Sequence, residues 1–150
     1  MTVSECRSED VPALTASAGA LFAEDGGRHD AFMDTGWPAR EGAAYYAGLV
    51  DDPDSLCLLA DGGAGHLVGR LRKPDPLRPD AVTAVLESMR VAPERRRQGL
   101  GRALFEAFVA WARERGANEM TVQAYAQNAS ALAFYEAHGF RPFLVTLARS

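Results

Sequence analysis

Residues 81–116, AVTAVLESMRVAPERRRQGLGRALFEAFVAWARERG, change period halfway along, and this change constrains the chain more than any other feature. The first part is a long apolar strand pattern that ends at Pro93. From Gly99 to about Arg115, Leu100, Ala103, Leu104, Ala107, Phe108 and Trp111 fall on one face of a helix, and Gly116 ends it. Only a short turn, holding Arg95, Arg96, Arg97, Gln98, Gly99, Leu100 and Gly101, separates the two. A strand that passes so abruptly into a long amphipathic helix belongs to a sheet that the helix covers.

The residue types in that turn add chemistry. The first turn of a helix presents backbone N–H groups without intrahelical partners and a partial positive charge. Glycines at 99 and 101 let an anion come close to that backbone, and the arginines place mobile positive charge at the rim. The combination describes a pyrophosphate cradle. It is not a P-loop, since no Gly-Lys-Ser/Thr follows, and it lacks the GxGxxG of a dinucleotide fingerprint.

The rest of the chain supplies the sheet. TVSECR reads as a first strand, and SEDVPALTASAGALFAED as a helix with Ser8 as N-cap. GGRHDAFMDTGWP is a loop, and AREGAAYYAGLVDD a second, shorter helix. SLCLLA and HLVGRLRK are strands joined by the turn DGGAG. After the central helix come a strand, NEMTVQAY, a helix, NASALAFYEAHG, capped by Asn128, and a closing strand in FRPFLVTLA. The predicted order is βααβββαβαβ: a mixed, mainly antiparallel α/β sheet flanked by about four helices, in a single domain over residues 1–150.

Composition removes several function classes. No apolar stretch reaches the length of a membrane span, and MTVSECRSED lacks the layout of a signal peptide, so the expectation is a cytoplasmic protein without a membrane partner. Cys6 and Cys57 have no CxxC spacing and read as free thiols; His29, His66 and His138 are too scattered for a metal site, and none is predicted. Charge is uneven. Residues 1–86 carry 14 Asp/Glu against 7 Lys/Arg, and residues 87–150 carry 9 Arg against 6 Glu. That asymmetry suits a cationic ligand on the first half and an anionic one on the second. Neither half has the basic, aromatic-studded stretch of a nucleic-acid binder.

Two motifs give a family resemblance. VAPERRRQGLGRALFEAF resembles the acetyl-coenzyme A binding motif of the GNAT superfamily of N-acetyltransferases, [RQ]-x-x-G-x-[GA]. NASALAFYEAHGF resembles the later helix of the same superfamily, N-x-x-[AS]-x-x-[FL]-Y-x-x-x-G-F, at the usual distance. The element order agrees with that fold from end to end, and the motifs themselves lie within residues 85–141.

The resemblance implies roles for named residues. Arg96, Arg97, Gln98, Gly99, Leu100, Gly101 and Arg102 would hold the pyrophosphate of acetyl-CoA, and the backbone of Met89, Arg90 and Val91 would pair with its pantetheine arm. Asn128 matches an asparagine that contacts the pantetheine region, a role compatible with capping its helix. Tyr135 matches the tyrosine that protonates the departing thiolate, and also fits as a core aromatic. The implied reaction is direct attack of a neutral amine on the thioester. Glu87 is the candidate base: it is the carboxylate inside an apolar strand, and strict alternation places it on the face of Met89 and Val91.

Gln123 stands where some acetyltransferases of protein N-termini carry a glutamate, which weighs against a protein or peptide acceptor. In the acceptor region, Glu24, Asp25, Asp30 and Asp34 alternate with Phe32, Trp37, Tyr45 and Tyr46, a mixture that suits an aminoglycoside-like or other small cationic amine. The alternatives are a protein or peptide N-acetyltransferase and a non-catalytic acyl-CoA-binding module. A homodimer is left open.

Overall fold

The computed structural model describes residues 1–150, and the strand read from residues 81–93 becomes β4 (Thr83–Val91). It lies beside β3 (Gly65–Leu71), which pairs with β2 (Ser55–Ala60), which pairs with β1 (Val3–Glu5). All these pairs are antiparallel, as the short connection through Asp61, Gly62 and Gly63 allows between β2 and β3. β5 (Glu119–Val122) then joins β4 in parallel, and the required crossover is α4 (Leu100–Glu114). The strands therefore follow chain order across one five-stranded mixed sheet.

Alternation along the strands builds two cores. Leu56, Leu58 and Ala60 of β2 face α4 with Leu67, Ala84 and Leu86. They pack on Leu100, Leu104, Phe105, Phe108, Trp111 and Ala112, the stripe expected from the helical period. Cys57, Leu59 and Val68 face the other side, against Val11, Leu14 and Ala18 of α1 (Val11–Leu21) and Tyr46 of α3 (Ala43–Asp51). Phe108 is fully buried, and burial of a ring of that size is worth about 1.5–3 kcal/mol. It lies so close to the sheet that a Cβ on Gly69 would meet its ring at 2.7 Å, so β3 needs glycine there.

Three local expectations are corrected. Ser8 does not cap α1: it opens a 3-10 turn, Ser8–Asp10, and the Asp10 carboxylate accepts the Arg7 amide at 2.8 Å. α1 does not stop at the predicted boundary. It runs through a π turn, Phe22–Gly26, into the single turn α2 (Gly27–His29), and α3 is preceded by a second π turn, Pro38–Gly42. The closing strand is absent. After α5 (Ala129–Ala137), residues 141–150 have no backbone hydrogen bond and lie exposed. Their strand propensity is met by no neighbouring strand, and propensity alone does not make a ladder. No helix is long and apolar enough to cross a membrane.

Candidate active site

The turn between β4 and α4 is held from below. Pro93–Arg95 forms a 3-10 turn, and Arg95 donates to Asp61 at 2.5 Å and to the Gln98 side-chain oxygen at 2.9 Å. Arg97 (φ 62°) and Gly99 (φ 84°) adopt left-handed conformations, the first at a cost that a side chain rarely accepts. The result is a run of outward amides. Those of Arg97, Gln98 and Gly99 donate to no protein acceptor, and those of Leu100, Gly101 and Arg102 open α4, where no preceding turn supplies carbonyls.

The arginines divide by role. Arg95 braces the turn, while Arg96 reaches back to the Val91 carbonyl at 3.2 Å. Arg102 pairs with Glu106 along the exposed helix face, and the Arg97 guanidinium has no protein partner. A Cβ at Gly101 would touch Phe134 and Val91 at an ordinary 3.5–3.6 Å, so packing does not dictate glycine there. The amides, the free Arg97 and the helix terminus together fit a diphosphate.

Beside this turn the sheet opens. β5 follows β4 only from Thr83 to Leu86, so Glu87–Val91 have a strand partner on the β3 side alone. The backbone of Met89, Arg90 and Val91 therefore presents a free edge at the mouth of the turn. Asn128 caps α5 through its side-chain oxygen on the Ala131 amide at 3.1 Å, and its amide donates to Asp25 at 2.9 Å. Tyr135 packs between Phe134 and Phe140 and against the α4 core, yet its hydroxyl has no hydrogen-bond partner. Burial, and then the Asp25 charge, push that phenol up to about 12, so it keeps its proton at any physiological pH.

Glu87 is not on the face of Met89 and Val91, and this is the main correction to the site. The register between β3 and β4 jumps from Val68↔Ser88 to Gly69↔Leu86, leaving Glu87 as the extra residue of a β-bulge. Alternation is broken at that point. Leu86, Met89 and Val91 all pack on the α4 side, whereas Glu87 turns to α3. There the Tyr45 hydroxyl donates to its two oxygens at 2.9 and 3.0 Å, and Arg70 lies at 3.4 Å. Burial foremost, then the Glu87 charge, raise Tyr45 well above the usual phenol range.

The acids of the acceptor region are mostly engaged within the fold. Glu24, aimed by the π turn, takes a bidentate pair from Arg90 at 2.8 and 3.0 Å, with Arg96 at 3.8 Å. The hydrogen bonds from Arg90 hold its carboxyl below the usual range. Asp34 binds Arg40, and Asp25 lies between Asn128 and His29. Trp37 stacks on Phe22 and meets Tyr45 edge-on, Tyr46 is buried, and Phe32 is fully exposed.

Two features escaped the sequence reading. One is the Glu24–Arg90 clamp, whose members are 66 positions apart and joined only by the fold. The other is a buried line in which His66 bridges the Ser17 hydroxyl (2.6 Å) and the Ser88 hydroxyl (3.0 Å). Burial depresses His66 to about 3, so the imidazole is neutral and ties α1 to β4 immediately beside the bulge. A lone histidine in an apolar strand carries no sequence signal for such a bridge.

Known proteins agree with this geometry. Residues 22–140 match the profile described as the acetyltransferase (GNAT) family. A mycothiol acetyltransferase of Beutenbergia cavernae is 34% identical over 106 residues, covering 71% of this chain and 33% of the relative. A ribosomal protein bS18-alanine N-acetyltransferase of Escherichia coli is 42% identical over 57 residues, 38% of each chain. The chain thus matches 33–38% of the length of these curated relatives. Among solved structures, the BH1408 protein of Bacillus halodurans (a tetramutant) superposes with a TM-score of 0.87 at 18% identity, over 100% of this chain and 99% of the other. An aminoglycoside 6′-N-acetyltransferase of Acinetobacter haemolyticus gives 0.78 at 18% identity, over 100% and 97%. At such identities the likeness is one of fold.

Proposed function

Because this chain belongs to the acetyltransferase (GNAT) family, we propose that it transfers an acetyl group from acetyl-CoA to the primary amine of a small molecule. One observation carries the reading. A run of unpaired amides, Arg97 to Arg102, opens beside a strand edge left free at Met89–Val91, with a protonated, unpartnered Tyr135 near by. The family's cosubstrate supplies an activated acyl thioester; the chain's residues hold it and manage protons. The turn amides with Arg96, Arg97 and Arg102 bind the diphosphate, and Met89, Arg90 and Val91 align the pantetheine as an added strand.

Tyr135 holds a proton that it can give to a leaving thiolate. Glu87, turned toward α3 by the bulge, faces the amine side and can take a proton from an alkyl ammonium through a water. Arg70 and Tyr45 keep it oriented for that task. The relative named as a mycothiol acetyltransferase supports a small-molecule acceptor. A peptide N-terminus is the second reading, favoured by the bS18-alanine relative and opposed by Gln123.

The test is free-thiol release from acetyl-CoA in the presence of a panel of small amines and of N-terminal peptides. Turnover with a small amine supports the reading. Turnover with peptides alone selects the second, and cofactor binding without turnover on either panel leaves a non-catalytic acyl-CoA module.

A further inference from the structure

The sheet face to which Glu87 turns carries two arginines whose donors the fold leaves unspent. Arg70 of β3 lies 3.4 Å from a Glu87 oxygen, yet its guanidinium donates no hydrogen bond within the chain, while the Tyr45 hydroxyl supplies both oxygens of that carboxylate. Arg72 follows two positions on. Its amide donates to the Thr83 carbonyl at 2.8 Å, so the β3–β4 ladder continues and alternation sets Arg72 on the face of Arg70. Its guanidinium reaches over β4 to β5, where its one contact is a long 3.4 Å to the Thr121 hydroxyl. The neighbouring acid, Glu119, is already filled, by Arg78 twice and by Thr83, each at 2.7 Å. Both arginines are open to solvent.

We propose that this face is a second subsite for the acceptor, which is a primary amine that also carries a carboxylate: the ammonium lies at Glu87 and the carboxylate between the Arg70 and Arg72 guanidiniums. The proposal rests on the acetyl-transfer reading and names the class of its substrate. Like charges on one strand face, about 7 Å apart at their Cα atoms and without a shared counter-ion, repel one another. A planar carboxylate that takes forked donors from both relieves that repulsion and gains charge-assisted hydrogen bonds.

The same arrangement sets the spacing and the selectivity. Glu87 and Arg72 bracket Arg70 along the strands, so amine and carboxylate are separated by a spacer of about four to six bonds. Tyr45, 39% exposed and backed edge-on by Trp37, gives that spacer an apolar wall. A polycationic acceptor would set its further ammonium groups against two guanidiniums, a repulsion that selects against it.

The experiment compares δ-aminovalerate with its carboxamide, with pentylamine and with an aminoglycoside, in two readouts. Thiol release from acetyl-CoA should give kcat/KM at least about tenfold higher for δ-aminovalerate than for the carboxamide or pentylamine, and higher again than for the polycation. Calorimetric titration of the same compounds in the presence of excess CoA, where no transfer can occur, should give the same order of affinity. Arg72→Gln, an exposed change, should bring δ-aminovalerate and its carboxamide to within about threefold of each other in both readouts, and Arg72→Lys should restore part of the difference. Equal kcat/KM and equal affinity for acid and carboxamide overturn the subsite and leave the acetyl-transfer reading standing. So does a preference that survives Arg72→Gln and Arg70→Gln alike. A calorimetric preference that Arg72→Gln removes, without turnover on any amine, upholds the subsite and sinks the acetyl-transfer reading. Binding of neither compound overturns the subsite.

Discussion

The two sides of β4 treat charge in opposite ways. On the α1/α3 side nearly every acid has a partner in the fold: Glu24 with Arg90, Asp34 with Arg40, Glu87 with Tyr45 and Arg70. At the β4–α4 turn the backbone amides and Arg97 have none. Conserving internal partners makes the first side rigid; leaving donors unmatched makes the second a place where an anion gains what the fold omitted. Charge counts along the sequence predicted both halves as ligand surfaces. The structure distinguishes them by asking which charges are already satisfied.

The sharpest way to break that contrast is at the open side. Gly101→Asp places an anion among the amides and should abolish the rise in Tm that acetyl-CoA gives the wild-type protein, whereas Gly101→Ala, whose Cβ has ordinary room, should keep the fold. A Tm rise in the Asp variant equal to wild type would take this turn out of the site.

Next in size is Tyr135→Phe, which removes a proton donor without emptying the aromatic cluster. Turnover should drop about 10–10³-fold with cofactor affinity nearly unchanged. Unaltered kcat would return Tyr135 to a packing role.

Glu87→Gln tests whether the paired side still does chemistry. If Glu87 takes the amine proton, kcat/KM should drop about tenfold or more near neutral pH, and the loss should shrink as the amine deprotonates at higher pH. A carboxylate that only attracts a cation would instead raise KM, with kcat intact and a clear dependence on salt. Wild-type values of both from pH 6 to 9 would end its candidacy.

The smallest effect is expected where the charge is wholly internal. The Glu24 carboxyl is lowered from its ordinary 4.5 by Arg90, so its pairing stabilises the fold above that value and is lost as pH falls through the lower, folded one. Glu24→Gln should lower Tm by about 2–4 °C at pH 7 and reduce the acid sensitivity below pH 4.5, since it weakens one partly exposed ion pair. Acetyl-CoA affinity should change less than in Gly101→Asp. Equal losses would mean that Arg90 and Arg96 are held by Glu24 for the ligand, and the two sides are then one site.

The strand, turn and helix of residues 83–114, the α4 stripe and the Asn128 cap were legible in the sequence because each depends on neighbours a few positions away. Period, glycine and cap are local signals, and the diphosphate reading rests on local ones too: the glycine pair, the arginines and the start of the helix. The bulge was not legible. Whether Glu87 faces α4 or α3 depends on the register of β3 against β4, set by the close approach of Phe108 to Gly69 and the packing on either side. The same holds for Glu24 on Arg90 and for His66 between Ser17 and Ser88, each a contact across tens of residues. In FRPFLVTLA the sequence determined a strand-forming composition, but a strand exists only when another backbone accepts its hydrogen bonds, and which backbone does so is decided in three dimensions.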